Sequence, residues 1–209
     1  MELAVWNWRR PNGLTNFGDE LGPEILSRLG YKVRRVSLPD ADIVTAGSVL
    51  ETVANAGKEG TMVWGSGLMH ARDKPIDTSN LDIRAVRGHL TAKALGKTVP
   101  VGDPGSLVPH LWNKPKARFR LGVVRHYVDT GTYPDAGIVI DAGDPVDEVL
   151  YGIGSCSAIA SSSLHGLIVA TAWGIPAVRL PNGKVAGGDF KWIDWVTATD
   201  GEELTKCLP

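Results

Sequence analysis

The chain has 209 residues, with 22 Lys and Arg against 23 Asp and Glu, a formal charge of −1, and 43% hydrophobic residues. That composition excludes a disordered chain, which needs low hydrophobicity or high net charge. It also excludes the globally basic surface that drives binding to nucleic acid or anionic membranes. The length allows one large domain or two compact ones. The 25 Gly and 13 Pro punctuate short apolar runs without any repeat, as in a fold of many short elements joined by specialised turns.

Cys156 and Cys207 are too few for a disulfide framework, and there is no CxxC pair to suggest a metal. No apolar leader with a small-residue cleavage site opens the chain, and no apolar run reaches about 18 residues. The expectation is a cytoplasmic protein with no transmembrane segment, no metal and no nucleic-acid partner.

In chain order, residues 3–8 read as a strand, followed by the polar turn TNFGDELG and a helix over 20–29 that closes at Gly30. Strands are predicted over 32–37 and 42–46, a short helix over 49–56, and a strand over 61–64 that runs into Gly65-Ser66-Gly67. A strand over 81–86 precedes a helix over 90–95. Residues 99–101 lead into the turn Gly102-Asp103-Pro104-Gly105. The segment PHLWNKPKAR, residues 109–118, reads as a linker. Beyond it, strands over 120–124 and 137–140, a helix over 146–151, a strand over 158–160, a strong helix over 164–173 and a strand over 176–180 repeat the alternation. Short helices over 192–196 and 202–207 close the chain. Strand–helix alternation in both halves predicts parallel sheets covered by helices, arranged as two small Rossmann-like lobes, 1–112 and 113–209, facing a cleft. Ligands of such folds lie beyond the strand C-termini.

Chemistry is therefore sought in the strand-end turns. In AIASSSLHGLIVATAWGIPAV, an apolar strand ends in Ser161-Ser162-Ser163, and Leu164-His165-Gly166 opens a helix. The hydroxyls are placed to cap that helix by accepting its first N–H bonds, and the helix start is suited to an anion. His165 in the first turn is placed for acid–base work. Read alone, serine at a helix start is as often a plain cap, and a single histidine is more often packed. In LGVVRHY, Arg125 closes a strand with His126 beside it, suiting a phosphate or carboxylate, or else a simple surface cation. In NFGDE, Gly18 permits close backbone approach, Asp19 caps a helix and Asn16 is placed for ligand hydroxyls. Gly65, Ser66 and Gly67 expose backbone N–H groups but lack the spacing of a nucleophile elbow. An Arg87–Asp103 ion pair is the structural expectation for the remaining strand-end residues. No HExxH, P-loop or GxGxxG pattern occurs. The DAD of residues 40–42 precedes a strand and is discounted as a diphosphate–metal motif.

Taken in order, NFGDELG, VWGSGLM, AVRGHLTAKALG, VGDPGSLVP, LGVVRHY and IASSSLHGLIVATAWGIPAV resemble the polysaccharide pyruvyl transferase family, and in particular its short exopolysaccharide-ketal branch. The resemblance implies a trimmed two-lobed GT-B-like fold, with an N-terminal acceptor lobe and a C-terminal donor lobe. It implies transfer of pyruvate from phosphoenolpyruvate to two hydroxyls of a sugar, with no cofactor beyond that co-substrate. By resemblance His165 is the acid–base residue and Arg125 a donor contact. Asn16 and Asp19 belong to the loop facing the cleft, and Ser162, Ser163, His126 and Gly65–Gly67 complete the substrate-binding set. The implied partners are phosphoenolpyruvate and a carbohydrate acceptor, with peripheral contact to lipid-linked acceptors left open. Two departures stand out: Ser163 occupies a position where many members carry Arg, and His89 stands where Pro is expected. Two other readings remain open at this point, a GT-B glycosyltransferase using a nucleotide sugar and a non-catalytic carbohydrate-binding relative.

Overall fold

The computed structural model describes residues 1–10 and 14–198; the helix expected over 202–207, with Cys207, lies outside them. The chain divides into two compact units. The first comprises Met1–Trp8, Gly22–Pro104 and the described residues from Gly187 on. The second comprises the described residues of Arg9–Leu21 together with Gly105–Ala186.

Both units are parallel α/β structures, as the strand–helix alternation predicts. In the first half of the chain the elements are β1 (Glu2–Trp6), α1 (Phe17–Arg28), β2 (Lys32–Arg35), β3 (Ile43–Val44), α2 (Leu50–Ala56), β4 (Thr61–Trp64), β5 (Leu81–Ala85), α3 (His89–Ala94) and α4 (Val108–Leu111). The second half gives β6 (Gly122–Arg125), β7 (Ile138–Asp141), α5 (Val146–Gly154), β8 (Ile159–Ser161), α6 (Leu164–Ala172), β9 (Ala177–Arg179) and α7 (Phe190–Val196). Helix α1 begins three residues earlier than its hydrophobic spacing suggests. Asp19 and Glu20 thereby fall in its first turn, where carboxylates complement the helix dipole. Residues 99–101 form no strand; Val101 makes an isolated parallel bridge to Val86.

The first sheet has strand order β2-β1-β3-β4-β5, with every neighbouring pair parallel. Its core packs Val44, Val63, Leu68 and Val86 with Leu50 and Val53 of α2. The central strands β3 and β4 are short, largely apolar and mostly buried, as strands covered on both faces are, whereas the edge strand β2 is Lys-Val-Arg-Arg with no buried residue. At the end of β4 the chain turns through Gly65 at φ +87°, a conformation that side-chain-bearing residues rarely adopt.

The second sheet has order β7-β6-β8-β9, again all parallel. Alternation decides what each of its faces carries. Val124 and Ser161 are register partners, and a Cβ on Gly166 of α6 would lie 2.4 Å from Ser161 Oγ and 2.9 Å from Val124 Cβ. Ile140, the β7 partner of Val124, lies under Gly152 of α5. Helices α5 and α6, which pack together, therefore cover the Val124–Ile140–Ser161 face. Val123, Arg125, Val139 and Asp141 alternate onto the opposite face.

Candidate functional site

In the second sheet the chain runs one way from β6 to β7 and then crosses back past β6 from β7, through α5, to β8. The order reverses between β6 and β8, and the crevice beyond their C-terminal ends is where open parallel sheets place ligands. Those ends carry Arg125 and His126 on one side and Ser161-Ser162-Ser163 on the other. The sequence reading names all of these, and the structure brings them to neighbouring strand ends.

The serines do not cap α6 as expected. Ser163 is the N-cap residue, but its side chain makes no capping bond. Ser161 Oγ accepts the Ser163 N–H at 3.0 Å and donates to Ser163 O at 2.7 Å, which closes the turn on itself. Ser162 Oγ donates to Asp129 Oδ2 at 2.5 Å and accepts the His126 N–H at 3.0 Å, tying the ends of β6 and β8 together. Local backbone partners and a buried carboxylate thus take the hydroxyls that a cap would have used.

His165 is 7% exposed and sits in the first turn of α6. The ring of Phe17 meets it edge-on, with centroids 6.3 Å apart. A Cβ on Gly18 would lie 2.1 Å from His165 Nδ1, so the first turn of α1 lies directly against the imidazole. That turn is anchored by the Phe17 N–H donating to Ala142 O at 2.8 Å and by Thr15 Oγ1 donating to Gly143 O at 3.3 Å. Asn16 precedes it: its Nδ2 donates to Asp19 Oδ2 at 2.6 Å, while its Oδ1 is buried with no hydrogen-bond partner among the described residues. The structure therefore brings Asn16, Gly18 and Asp19 into the same unit as His165.

Arg125 has other company. Its Nη2 meets Asp141 Oδ2 at 2.8 Å across the β6–β7 pair, and that bond raises its pKa above the usual value. By alternation it leaves the sheet on the face opposite α6. Together with Tyr133, Val139, Asp141 and Asp144 it lines an open cavity of about 520 Å³.

Gly65, Ser66 and Gly67 belong to the first unit. Ser66 is fully buried and donates to Gly47 O at 3.0 Å. A Cβ on Gly67 would fall 2.5 Å from the Arg87 guanidinium carbon. Arg87 pairs with Asp194 of α7 at 3.0 Å, and Asp103, the expected partner, adds a further electrostatic attraction. It also donates to Ser48 Oγ and Leu68 O, so one guanidinium holds three separate segments.

The chain has relatives of two kinds. It is 30% identical over 205 residues to the succinoglycan biosynthesis protein ExoV of Rhizobium meliloti (strain 1021), covering 92% of this chain and 64% of that protein. It is also 30% identical over 166 residues to the uncharacterized protein L143 of Acanthamoeba polyphaga mimivirus, covering 70% of this chain and 57% of that protein. The chain spans less than two thirds of the length of both curated relatives. No family model and no solved structure matches it. Among the described residues no helix is long and apolar enough to cross a membrane, and no group of three or more His, Cys, Asp or Glu could hold a metal ion.

Sequence reasoning missed Asp129, Tyr133, Asp141 and Asp144. Asp129 is 5% exposed and accepts bonds from Ser162, from Tyr133 OH at 2.6 Å and from the Gly131 N–H at 2.8 Å. The signal was the VDTG turn directly after LGVVRHY, where Asp bonds the backbone two residues on. Burial alone would raise the Asp129 pKa, but the hydrogen bonds from Ser162, Tyr133, Gly131 and Asn182 outweigh it and lower it below 3.8. A depressed folded pKa contributes stability above the unfolded value that is lost as pH falls through the folded one. Acid titration below pH 3.8 should therefore loosen the 126–134 turn. In Asp129→Asn that component of the acid transition, followed by amide exchange of Gly131, should be absent.

Proposed function

We propose that this protein forms a pyruvate ketal on a sugar of a polysaccharide or glycoconjugate, with phosphoenolpyruvate as donor. The observation that carries the reading is His165, held in the first turn of α6 beside the β6–β8 crevice and against the first turn of α1. The similarity to a succinoglycan biosynthesis protein and the ordered motif set support it.

Two C–O bonds form between the donor enol carbon and two sugar oxygens, and its C–O bond to phosphate breaks. The two sugar hydroxyls lose two protons; one reaches the donor methylene, which becomes the ketal methyl, and the other leaves with phosphate. An imidazole can both accept and donate a proton, and this role is given to His165. The start of α6 presents backbone N–H groups and the positive end of its dipole to the anionic donor. Ser162 and the His126 backbone hold the strand-end turn in place, so the donor site is assembled before the ligand arrives.

The test is to incubate the protein with phosphoenolpyruvate and a panel of methyl pyranosides and oligosaccharides. Acceptor-dependent phosphate release and a new ketal methyl singlet by proton NMR are expected. Glycosyl transfer from a UDP- or GDP-sugar, with phosphoenolpyruvate inert, would overturn the reading.

A further inference from the structure

The cavity beside β7 plays no part in the donor chemistry above. It is lined by Arg125, Tyr133, Pro134, Val139, Asp141 and Asp144, among others, and its volume of about 520 Å³ lies within the range of small-molecule sites. Its floor comes from one face of β6 and β7, where Arg125 stands opposite Asp141 and Val139 is 44% exposed.

Charge decides what fits. Arg125 and Asp141 neutralise each other at 2.8 Å, and Asp141 is also held by the Gly143 N–H on Oδ1 at 2.8 Å. Asp144 is exposed and adds a further negative charge. The surplus is one negative charge, which opposes a phosphate or carboxylate ligand. What remains is a carboxylate that accepts hydrogen bonds from hydroxyls, a guanidinium with further N–H donors, and the apolar surfaces of Tyr133, Pro134 and Val139. A pyranose presents that complement: hydroxyl donors and acceptors around its edge and C–H groups on its faces.

The wall is also preformed. Asp129 fixes Tyr133 by its hydroxyl and the turn by the Gly131 N–H, and it receives Ser162 from the turn that leads into α6. One strut therefore joins the cavity wall to the turn that carries His165. Burial and the bond to Asp129 push the Tyr133 phenol up to about 12, so this wall stays neutral at physiological pH.

We infer that this cavity is an acceptor subsite that holds a neutral pyranose unit of the carbohydrate substrate, with Asp144 and Arg125 reading its hydroxyls. The inference rests on the transferase reading for its place in a reaction, but sugar binding can be measured without the donor. Saturation-transfer NMR with methyl glucoside, galactoside and mannoside, in the absence of phosphoenolpyruvate, should show binding of at least one to the full chain. Asp144→Asn should weaken that binding about tenfold or more, the loss expected for a hydrogen bond to a charged group. Val139→Trp, at an exposed position, should fill the floor and abolish it. In turnover, both variants should raise KM for the acceptor and leave KM for phosphoenolpyruvate unchanged. No pyranose saturation on the wild type, indifference of sugar binding to both variants, or a rise in the donor KM alone would each overturn the subsite. Sugar binding lost in both variants, without phosphate release by the wild type, keeps the subsite and defeats the pyruvyl-transfer reading. Phosphate release with an acceptor KM untouched by either variant does the reverse.

Discussion

Replacing Asp194 with Ala should destabilise the first unit by about 3–5 kcal/mol, the cost of leaving a buried partner charge uncompensated. Arg87 is 1% exposed and Asp194 fully buried. Asp194 Oδ2 accepts from Arg87 Nη2 at 3.0 Å and Nε at 3.1 Å. The same carboxylate accepts the Thr91 N–H at 2.8 Å and Thr91 Oγ1 at 2.7 Å. Burial draws the Arg87 pKa down, and Asp194, with Asp103 behind it, pulls it back. The Ala variant removes the main counter-charge and strands two Thr91 donors, while the guanidinium stays enclosed by Gly67, Ser48 and Leu68. Urea unfolding followed by circular dichroism should show the loss as a lower midpoint. Asp194→Asn, which keeps an acceptor for the Thr91 N–H, should fall between wild type and Ala. A loss below about 1 kcal/mol in Ala, the range of exposed ion pairs, would mean that the network is not the clamp described.

The contrast between Arg87 and the strands shows what local sequence can carry. The runs LGVV and GIVI are near-continuous apolar segments between turn residues, and they specify buried parallel strands almost by composition. The position of His165 at the start of α6 was legible for the same reason: a strand, a polar turn and a helix pattern follow one another without a gap. The partner of Arg87 lies 107 residues away, on a short helix whose pattern says nothing about which carboxylate turns inward. Asp103, close in sequence and beside another strand end, was the reasonable guess.

Arg125 makes the same point at the site. Its place at the end of β6 was legible, but its direction was not. Direction follows from the parity of the strand, from the β6–β7 register that sets Asp141 opposite it, and from which face α6 covers. The serines were misread for a related reason. Helix-capping preference is a local tendency, and it gave way once Asp129 was buried within reach of Ser162 and the Ser161–Ser163 turn closed on itself. The residues that shape the cavity wall, Asp129 and Tyr133, sit in a turn whose composition is that of any surface loop.

The second large effect concerns His165. In the ketal assay His165→Ala should lower turnover by about 10²–10⁴, the range for losing a positioned acid–base group. That variant alone does not separate chemistry from packing, because the ring is buried against α1. Gly18 supplies the second measurement. Gly→Ala inside a helix ordinarily gains about 0.5–1 kcal/mol, but here the added methyl would lie 2.1 Å from Nδ1 and 2.6 Å from Cγ of His165. The first turn of α1 is tied to Ala142 and Gly143, so the imidazole is the part that must move. Gly18→Ala should therefore cost about 1–3 kcal/mol, as overpacking does, and lower turnover while His165 is still present. In a His165→Ala background the same substitution should lose its penalty and recover the helix gain. The double-mutant cycle then yields a coupling energy well above the 0.3–0.5 kcal/mol scatter of independent sites. If Gly18→Ala destabilises equally in both backgrounds, α1 is not seated on the imidazole. If the coupling is present but His165→Ala turns over at the wild-type rate, the histidine is a packing residue and the proton carrier must be sought elsewhere along the β6–β8 crevice.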